Sequence, residues 1–124
     1  MKKVLVVDDE ESVLKAVALA LRHHGCEVVL APGGNRCLEQ MRQGFAGVVL
    51  MDIMMPDLNG WQTIRALARE NLLQNVLVCM LTARSSPGPE SEGMEEFVFD
   101  YLPKPFDYPS LIQCVDNAAG YLPT

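Results

Sequence analysis

The sequence has no long hydrophobic run and no basic cluster. No stretch approaches the roughly 18 consecutive apolar residues that a membrane-spanning helix needs, and the N-terminus does not resemble a cleavable signal. Ten lysine and arginine residues stand against 16 aspartate and glutamate residues, a net charge of −6, and they form no patch that could follow a phosphate backbone. We therefore expect a cytoplasmic protein that binds neither a membrane nor nucleic acid directly.

The sequence also has no paired cysteine motif. Cys26, Cys37, Cys79 and Cys114 are widely spaced, with no C-x-x-C pair and no histidine spacing that suits zinc. We expect all four to be small buried hydrophobic residues in a reducing compartment.

The apolar pattern alternates between short β-branched strands and amphipathic helices. Strands are predicted at 3–8, 26–31, 48–52, 76–82 and 97–102, and helices at 11–24, 35–43, 60–71 and 107–121. Between the last two strands, Pro87-Gly88-Pro89 and Gly93 oppose helix formation, so a short or displaced helix is expected there. With 124 residues the chain suits a single domain over 1–124, of the α/β class, with a parallel sheet covered by helices on both faces.

Five polar residues fall where predicted strands end, and in an open α/β sheet ligands bind at those ends. The residues are Asp8, Asp9, Asp52, Thr82 and Lys104. Each has an ordinary structural explanation, such as helix capping or a simple ion pair, but the whole set does not. Three carboxylates brought together repel by about 4 kcal/mol per close pair at an effective dielectric near 20, so a cation must offset them. A hard divalent ion such as Mg²⁺ fits oxygen ligands of this kind.

Lys104 supplies a second, fixed positive charge at the same place. It stands between Pro103 and Pro105, which constrain the backbone, and its bond to Pro105 is a candidate for the cis form. Beside Lys104, the hydroxyl of Thr82 becomes a donor for an anionic oxygen.

Four segments carry a resemblance to the receiver domain of two-component response regulators. They are Asp8-Asp9, Met51-Asp52-Ile53-Met54-Met55-Pro56-Asp57-Leu58-Asn59-Gly60, Leu81-Thr82-Ala83 and Asp100-Tyr101-Leu102-Pro103-Lys104-Pro105-Phe106. The resemblance covers essentially the whole chain. It implies a CheY-like, flavodoxin-like (βα)5 doubly wound sandwich with a five-stranded parallel sheet in the order 2-1-3-4-5.

The resemblance also implies a phosphoacceptor and its metal. Asp52 would be phosphorylated by a sensor histidine kinase or a histidine phosphotransfer protein. Asp9 and Asp52 would hold Mg²⁺ together with the backbone carbonyl of Met54, and Asp8 would contribute through a water. Phosphoryl transfer needs a positioned acceptor and charge neutralisation more than covalent machinery, which agrees with this residue set.

The product would be held by Lys104, Thr82 and the backbone amide of Ala83. By the same resemblance, Thr82 moves toward the phosphoryl group and Tyr101 rotates into the space that it leaves. The output face would consist of the helix before the last strand, the last strand and the last helix, and would carry Phe99, Tyr101 and residues near Tyr108. A downstream protein would bind there, and a phosphorylation-dependent homodimer is also compatible with the resemblance.

The sequence predicts a signalling switch that accepts and loses its own phosphoryl group and is not an enzyme with a separate substrate. Two alternatives are less consistent with its residues. An aspartyl-phosphate phosphatase needs a second aspartate two residues after the nucleophile, where this chain has Met54. An interaction module that keeps the receiver fold without phosphorylation is disfavoured by the intact acidic set, Thr82 and Lys104.

The chain departs from the receiver pattern in two places that bear on the switch. Phe97-Val98 stands where most receivers have a pair of small residues, next to the Pro-Gly-rich segment. Met54 cannot orient water through a polar side chain, so we expect a longer-lived phosphoryl group than in receivers with Asn or an acid there. Trp61, which opens the third helix, is expected to be partly buried packing.

Overall fold

A five-stranded parallel sheet forms the centre of the chain in a computed structural model, which describes residues 2–83 and 91–122. The strands are β1 (Lys3–Val7), β2 (Glu27–Ala31), β3 (Gly47–Asp52), β4 (Val76–Thr82) and β5 (Val98–Pro103). Their order across the sheet is β2-β1-β3-β4-β5, and every neighbouring pair is parallel. The predicted fold class and strand order are confirmed. The order reverses at β1, where β2 lies on one side and β3 on the other, and this is where such sheets bind ligands.

Four α-helices cover the two faces of this sheet in the described ranges. They are α1 (Glu11–His23), α2 (Gly34–Arg42), α3 (Gly60–Arg69) and α4 (Tyr108–Ala119). The apolar sides of α1 and α4 form one core with β1, β3 and β4, and those of α2 and α3 form the other. All four cysteines are buried and unbridged within these cores, as expected. No helix in the described part of the chain has the length and apolar character needed to cross a bilayer.

The connection between β4 and β5 differs from the expected helix. Its described part, residues 91–97, forms turns that end in a short 3₁₀ helix at Glu95–Phe97. Gly93 has φ of 80°, a left-handed backbone that an α-helix cannot contain. Phe97, predicted as the first strand residue, ends this turn, and β5 begins at Val98. The remainder of the predicted helix, with Pro87-Gly88-Pro89, lies outside the described residues.

The central strand β3 and the start of α3 are packed unusually closely. Every residue of β3 is buried, including Asp52 at its end. The amide of Gly60 donates to the carbonyl of Ile53 at 2.7 Å, and a Cβ on Gly60 would lie 2.8 Å from the carbonyl oxygen of Asp52. A glycine is therefore required where the chain re-enters a helix after Asp52. Reciprocal hydrogen bonds between Asn59 and Gln62 then cap α3.

Candidate functional site

Three carboxylates meet at the carboxyl ends of β1 and β3. Asp8 and Asp9 follow β1, Asp52 ends β3, and one oxygen from each lies within 4.8 Å of the other two. Asp8 is completely buried and Asp52 is only 6% exposed, whereas Asp9 faces solvent. The predicted convergence of the three acids is thus observed. We call this cluster, with Lys104, the acid pocket.

Lys104 reaches the acid pocket from the end of β5. Its Nζ donates to Oδ2 of Asp8 at 2.8 Å and lies 3.4 Å from Oδ1 of Asp52. Its backbone amide donates to the carbonyl of Thr82 at 2.7 Å, and its bond to Pro105 is cis. Burial disfavours the charged ammonium, but the hydrogen bond and charge of Asp8, with the charge of Asp52, raise the pKa of Lys104. The lysine therefore stays protonated as the fixed cation of the pocket.

Asp52 is an acid whose ionisation is opposed by its surroundings. Burial, and then the charge of Asp8, raise the pKa of Asp52 to about 6, although Lys104 and a hydrogen bond from the Met54 amide favour the carboxylate. One lysine thus leaves the three acids incompletely compensated. Clustered carboxylate oxygens at this spacing are the ligands that a hard divalent cation prefers. The residues present fit Mg²⁺.

Met54 lies at the mouth of the pocket on the loop that follows β3. Its side chain is 69% exposed, and its backbone amide donates to Asp52. The exposed thioether brings no polar group to the pocket mouth. The part predicted for the Met54 carbonyl in metal binding stays a prediction.

Thr82 and Ala83 lie at the same edge of the sheet as the acid pocket. Asp52 is opposite Leu81 in the β3–β4 register, so Thr82 is the next residue beyond that pair. Thr82 is buried, and Ala83 is an exposed residue in the bend after β4. The phosphoryl-binding role predicted for these two residues stays a prediction.

The predicted switch residue Tyr101 contacts the helix that follows the Asp52 loop. The rings of Trp61 and Tyr101 have centroids 6.3 Å apart at an interplanar angle of 48°. Trp61, almost fully buried, opens α3, and Tyr101 is partly buried on β5. Burial, with the charge of Glu95, raises the pKa of Tyr101. From the sequence, Trp61 was predicted only to be a packing residue. No local sequence pattern indicates its contact with Tyr101, which lies 40 residues later in the chain.

The loop after Asp52 is also anchored to α2, through a residue that sequence reasoning missed. The carboxylate of Asp57 accepts hydrogen bonds from the amides of Gly34 at 3.2 Å and Asn35 at 3.0 Å. Burial opposes its ionisation, but these amide bonds, with one from Leu58, lower the pKa of Asp57. A Cβ on Gly33 would lie 2.9 Å from this carboxylate. The sequence signal that could have pointed to such a contact was the pair Gly33-Gly34 at the start of α2, because neither glycine has a side chain that can cap the helix.

Comparison with known proteins agrees with this architecture. The family model described as the response regulator receiver domain matches residues 4–116. Protein PilH of Pseudomonas aeruginosa is 32% identical over 116 residues, which cover 94% of this chain and 96% of PilH. Other relatives are longer: of the transcriptional regulatory protein PhoB of Escherichia coli, also 32% identical, the chain spans about half the length, 48%.

Solved structures give the same result. A CheY-like receiver domain protein from Methanospirillum hungatei is 40% identical, with a TM-score of 0.92 over 97% of this chain and 95% of that one. TrrA of Thermotoga maritima, solved in complex with Mg²⁺-BeF, is 26% identical, with a TM-score of 0.81 over 95% of this chain and 99% of that one. The fold and the acid pocket define a CheY-like α/β domain. The chain belongs to the receiver domain family of response regulators.

Proposed function

We propose that this receiver domain is a cytoplasmic phosphoacceptor switch of a two-component phosphorelay, with Asp52 as the acceptor. A sensor histidine kinase or a histidine phosphotransfer protein supplies the phosphoryl group. The observation that carries the proposal is the acid pocket, in which a nearly buried Asp52 lies beside Lys104 and two further acids at the point where strand order reverses.

The transfer requires Asp52 as a carboxylate nucleophile. A pKa of about 6 leaves the group mostly ionised at neutral pH. One Asp52 oxygen bonds to phosphorus while the bond from phosphorus to the donor imidazole nitrogen breaks with its electron pair going to that nitrogen, and the imidazole leaves as a neutral ring because its other nitrogen already carries a proton. Asp9 and Asp52, with the Met54 carbonyl and with Asp8 through a water, would hold Mg²⁺, which supplies charge neutralisation.

The product carries more negative charge and more acceptor oxygens than the carboxylate it replaces. Lys104, whose Nζ already lies 3.4 Å from Asp52, is placed to pair with a phosphoryl oxygen. The hydroxyl of Thr82 and the amide of Ala83 donate to the others. The domain turns over no separate substrate, and the exposed apolar side chain of Met54 makes the phosphoryl group long-lived.

The signal leaves through the output face, for which we use the described residues 91–97, β5 and α4. Drawing Thr82 toward the phosphoryl group makes room for Tyr101, whose ring is held against Trp61. A downstream protein then reads the altered face. This switch is a population shift between two arrangements, biased by one new charged group.

The direct test is modification of the purified protein by a small phosphodonor. Incubation with Mg²⁺ and acetyl phosphate should add one phosphoryl group, seen by intact-protein mass spectrometry and mapped to Asp52. Asp52→Asn should take up none, whereas Asp107→Asn, which alters an exposed cap of α4, should be modified like the wild type. Equal modification of both variants, or none of the wild type while it binds Mg²⁺, would contradict the proposal.

A further inference from the structure

A cavity of about 550 Å³ opens on the output face, between β5 and the C-terminal end of α4. It is lined by Phe99, Asp100, Asp116, Asn117, Gly120 and Tyr121. The rings of Phe99 and Tyr121 contact each other at a centroid distance of 5.2 Å, and Tyr121 is 75% exposed. Because β5 is an edge strand, this aromatic-lined hollow lies at the outer margin of the sheet.

The two carboxylates of the cavity differ in how their charge is balanced. Asp116 accepts hydrogen bonds from Lys2 and from Nε2 of His24, the latter at 3.1 Å. Asp100 accepts a hydrogen bond from the backbone amide of Tyr101 at 2.8 Å, and no lysine, arginine or histidine within residues 2–83 and 91–122 forms an ion pair with it. Among the described residues, the cavity therefore has one carboxylate without an ion-pair partner, beside two aromatic faces.

Most charged residues of the output face are acidic, and Lys2 and His24, which pair with Asp116, are basic residues from outside this face. Residues 91–122 contain six acids and a single basic residue, Lys104, whose ammonium is engaged in the acid pocket. The acids are Glu92, Glu95, Glu96, Asp100, Asp107 and Asp116. A second copy of this chain would bring the same acids against them, and like charges across an interface are unfavourable. The output face therefore suits a basic partner better than a homodimer.

We propose that this cavity is the docking site for an arginine or lysine side chain of a basic protein segment. A guanidinium can stack on the rings of Phe99 and Tyr121 while it donates two hydrogen bonds to Asp100. A buried aromatic and arginine anchor of this type commonly dominates the affinity of an interface. The carboxylate of Asp100 also accepts a hydrogen bond from the backbone amide of Tyr101. A rearrangement of Tyr101 therefore changes the position of the carboxylate that binds the cation. The partner's part in signal output rests on the proposed switch, whereas the cavity's preference for a cation does not.

The test compares two peptides that differ only in charge. The protein, in saturating Mg²⁺ to occupy the acid pocket, is titrated with Gly-Arg-Gly-Arg-Gly and with the same peptide carrying citrulline, while amide NMR shifts are followed. The arginine peptide should shift the amides of Phe99, Asp100 and Tyr121 and bind at least about tenfold more tightly. Asp100→Asn should weaken it about tenfold, whereas Glu27→Gln, on the exposed opposite edge of the sheet, should leave it unchanged.

Several outcomes would overturn the docking site. These are equal binding of the two peptides, unchanged binding by Asp100→Asn, or a concentration-dependent dimer of the wild type that Asp100→Asn dissociates, since a second copy would then be the occupant. Phosphorylation at Asp52 is measured on the same samples. Absent peptide binding with normal phosphorylation refutes only the docking site, and the reverse result refutes only the switch.

Discussion

The acid pocket and the output face are both acidic, but they hold their charges in opposite ways. In the pocket, Asp8 and Asp52 are buried and share one lysine, so each charge depends on its neighbours. On the output face the acids are mostly exposed, and Asp100 has no cation among the described residues. Buried, mutually dependent charges suit chemistry at a fixed geometry, whereas exposed charges of one sign suit selection of a partner. The acid pocket is therefore suited to phosphoryl transfer, and the output face is suited to recognition of a partner protein.

The regions also differ in how firmly the backbone is held. The loop after Asp52 is tied to the sheet by Gly60, capped by Asn59 and anchored to α2 by Asp57. The described segment before β5 consists of turns, with Gly93 in a left-handed conformation, followed by a short 3₁₀ helix at Glu95–Phe97. The phosphoacceptor is thus positioned by several independent contacts.

The largest expected effect tests the interdependence of the buried charges. Replacing Lys104 by Met leaves Asp8 and Asp52 buried together without their cation, so the free energy of unfolding near neutral pH, without divalent ions, should fall by about 3 kcal/mol. Lys15→Met removes an exposed ion pair with Glu11 and should cost less than about 0.5 kcal/mol. Urea unfolding of both variants measures the difference. Similar losses of unfolding free energy in the two variants would show that the buried charges of the acid pocket contribute no more to stability than exposed charges do.

The second effect follows from the pKa of Asp52. Folding raises this pKa from 3.8 to about 6, so between these values the folded protein binds more protons than the unfolded chain, and stability falls as pH rises through that window. Asp52→Asn removes the ionisation and should stabilise the metal-free protein by about 2 kcal/mol at neutral pH, with a much smaller gain near pH 4. Chemical denaturation with a chelator at both pH values measures this. A gain that does not vary with pH would contradict the assignment.

The third prediction compares two helix caps. Asp57 caps α2 and Asp107 caps α4, and replacing either by Ala should cost about 1 kcal/mol of unfolding free energy. Only Asp57 lies on the loop that carries Met54, so only Asp57→Ala should also lower the affinity for Mg²⁺ several-fold. Calorimetric titration with Mg²⁺ separates the two. Equal affinities for Mg²⁺ in the two variants would mean that the hydrogen bonds between Asp57 and α2 do not position the acid pocket.

The smallest expected effect concerns the lifetime of the phosphoryl group. Met54→Asn places a water-orienting amide at the pocket mouth and should shorten the lifetime a few-fold. Leu19→Asn, at a similarly exposed apolar position on α1, should leave it unchanged. Decay is followed by mass spectrometry after removal of the phosphodonor. An unchanged or slower decay in Met54→Asn would overturn the role given to this position.

Sequence reasoning predicted the sheet and the acid pocket because both depend on local signals. Short apolar strands alternating with helices require a parallel sheet, and the ends of parallel strands meet at one edge, which brings Asp8, Asp52 and Lys104 together. The contacts of Trp61 with Tyr101 and of Asp57 with α2 depend on how helices are placed over the sheet. No periodicity or local motif encodes that placement. Where the described residues include the segment before β5, the left-handed backbone of Gly93 stands in place of a continuous α-helix, and a short 3₁₀ helix follows it.

The most direct test is whether modification of Asp52 changes the output face. Amide NMR spectra of the wild type and of Asp52→Asn are compared before and after addition of Mg²⁺ and beryllofluoride, a phosphoryl mimic. The wild type alone should show shifts at Thr82, Tyr101 and Asp100 as well as in the pocket. Shifts confined to the pocket, or the same shifts in Asp52→Asn, would contradict the claim that a phosphoryl group on Asp52 controls that face.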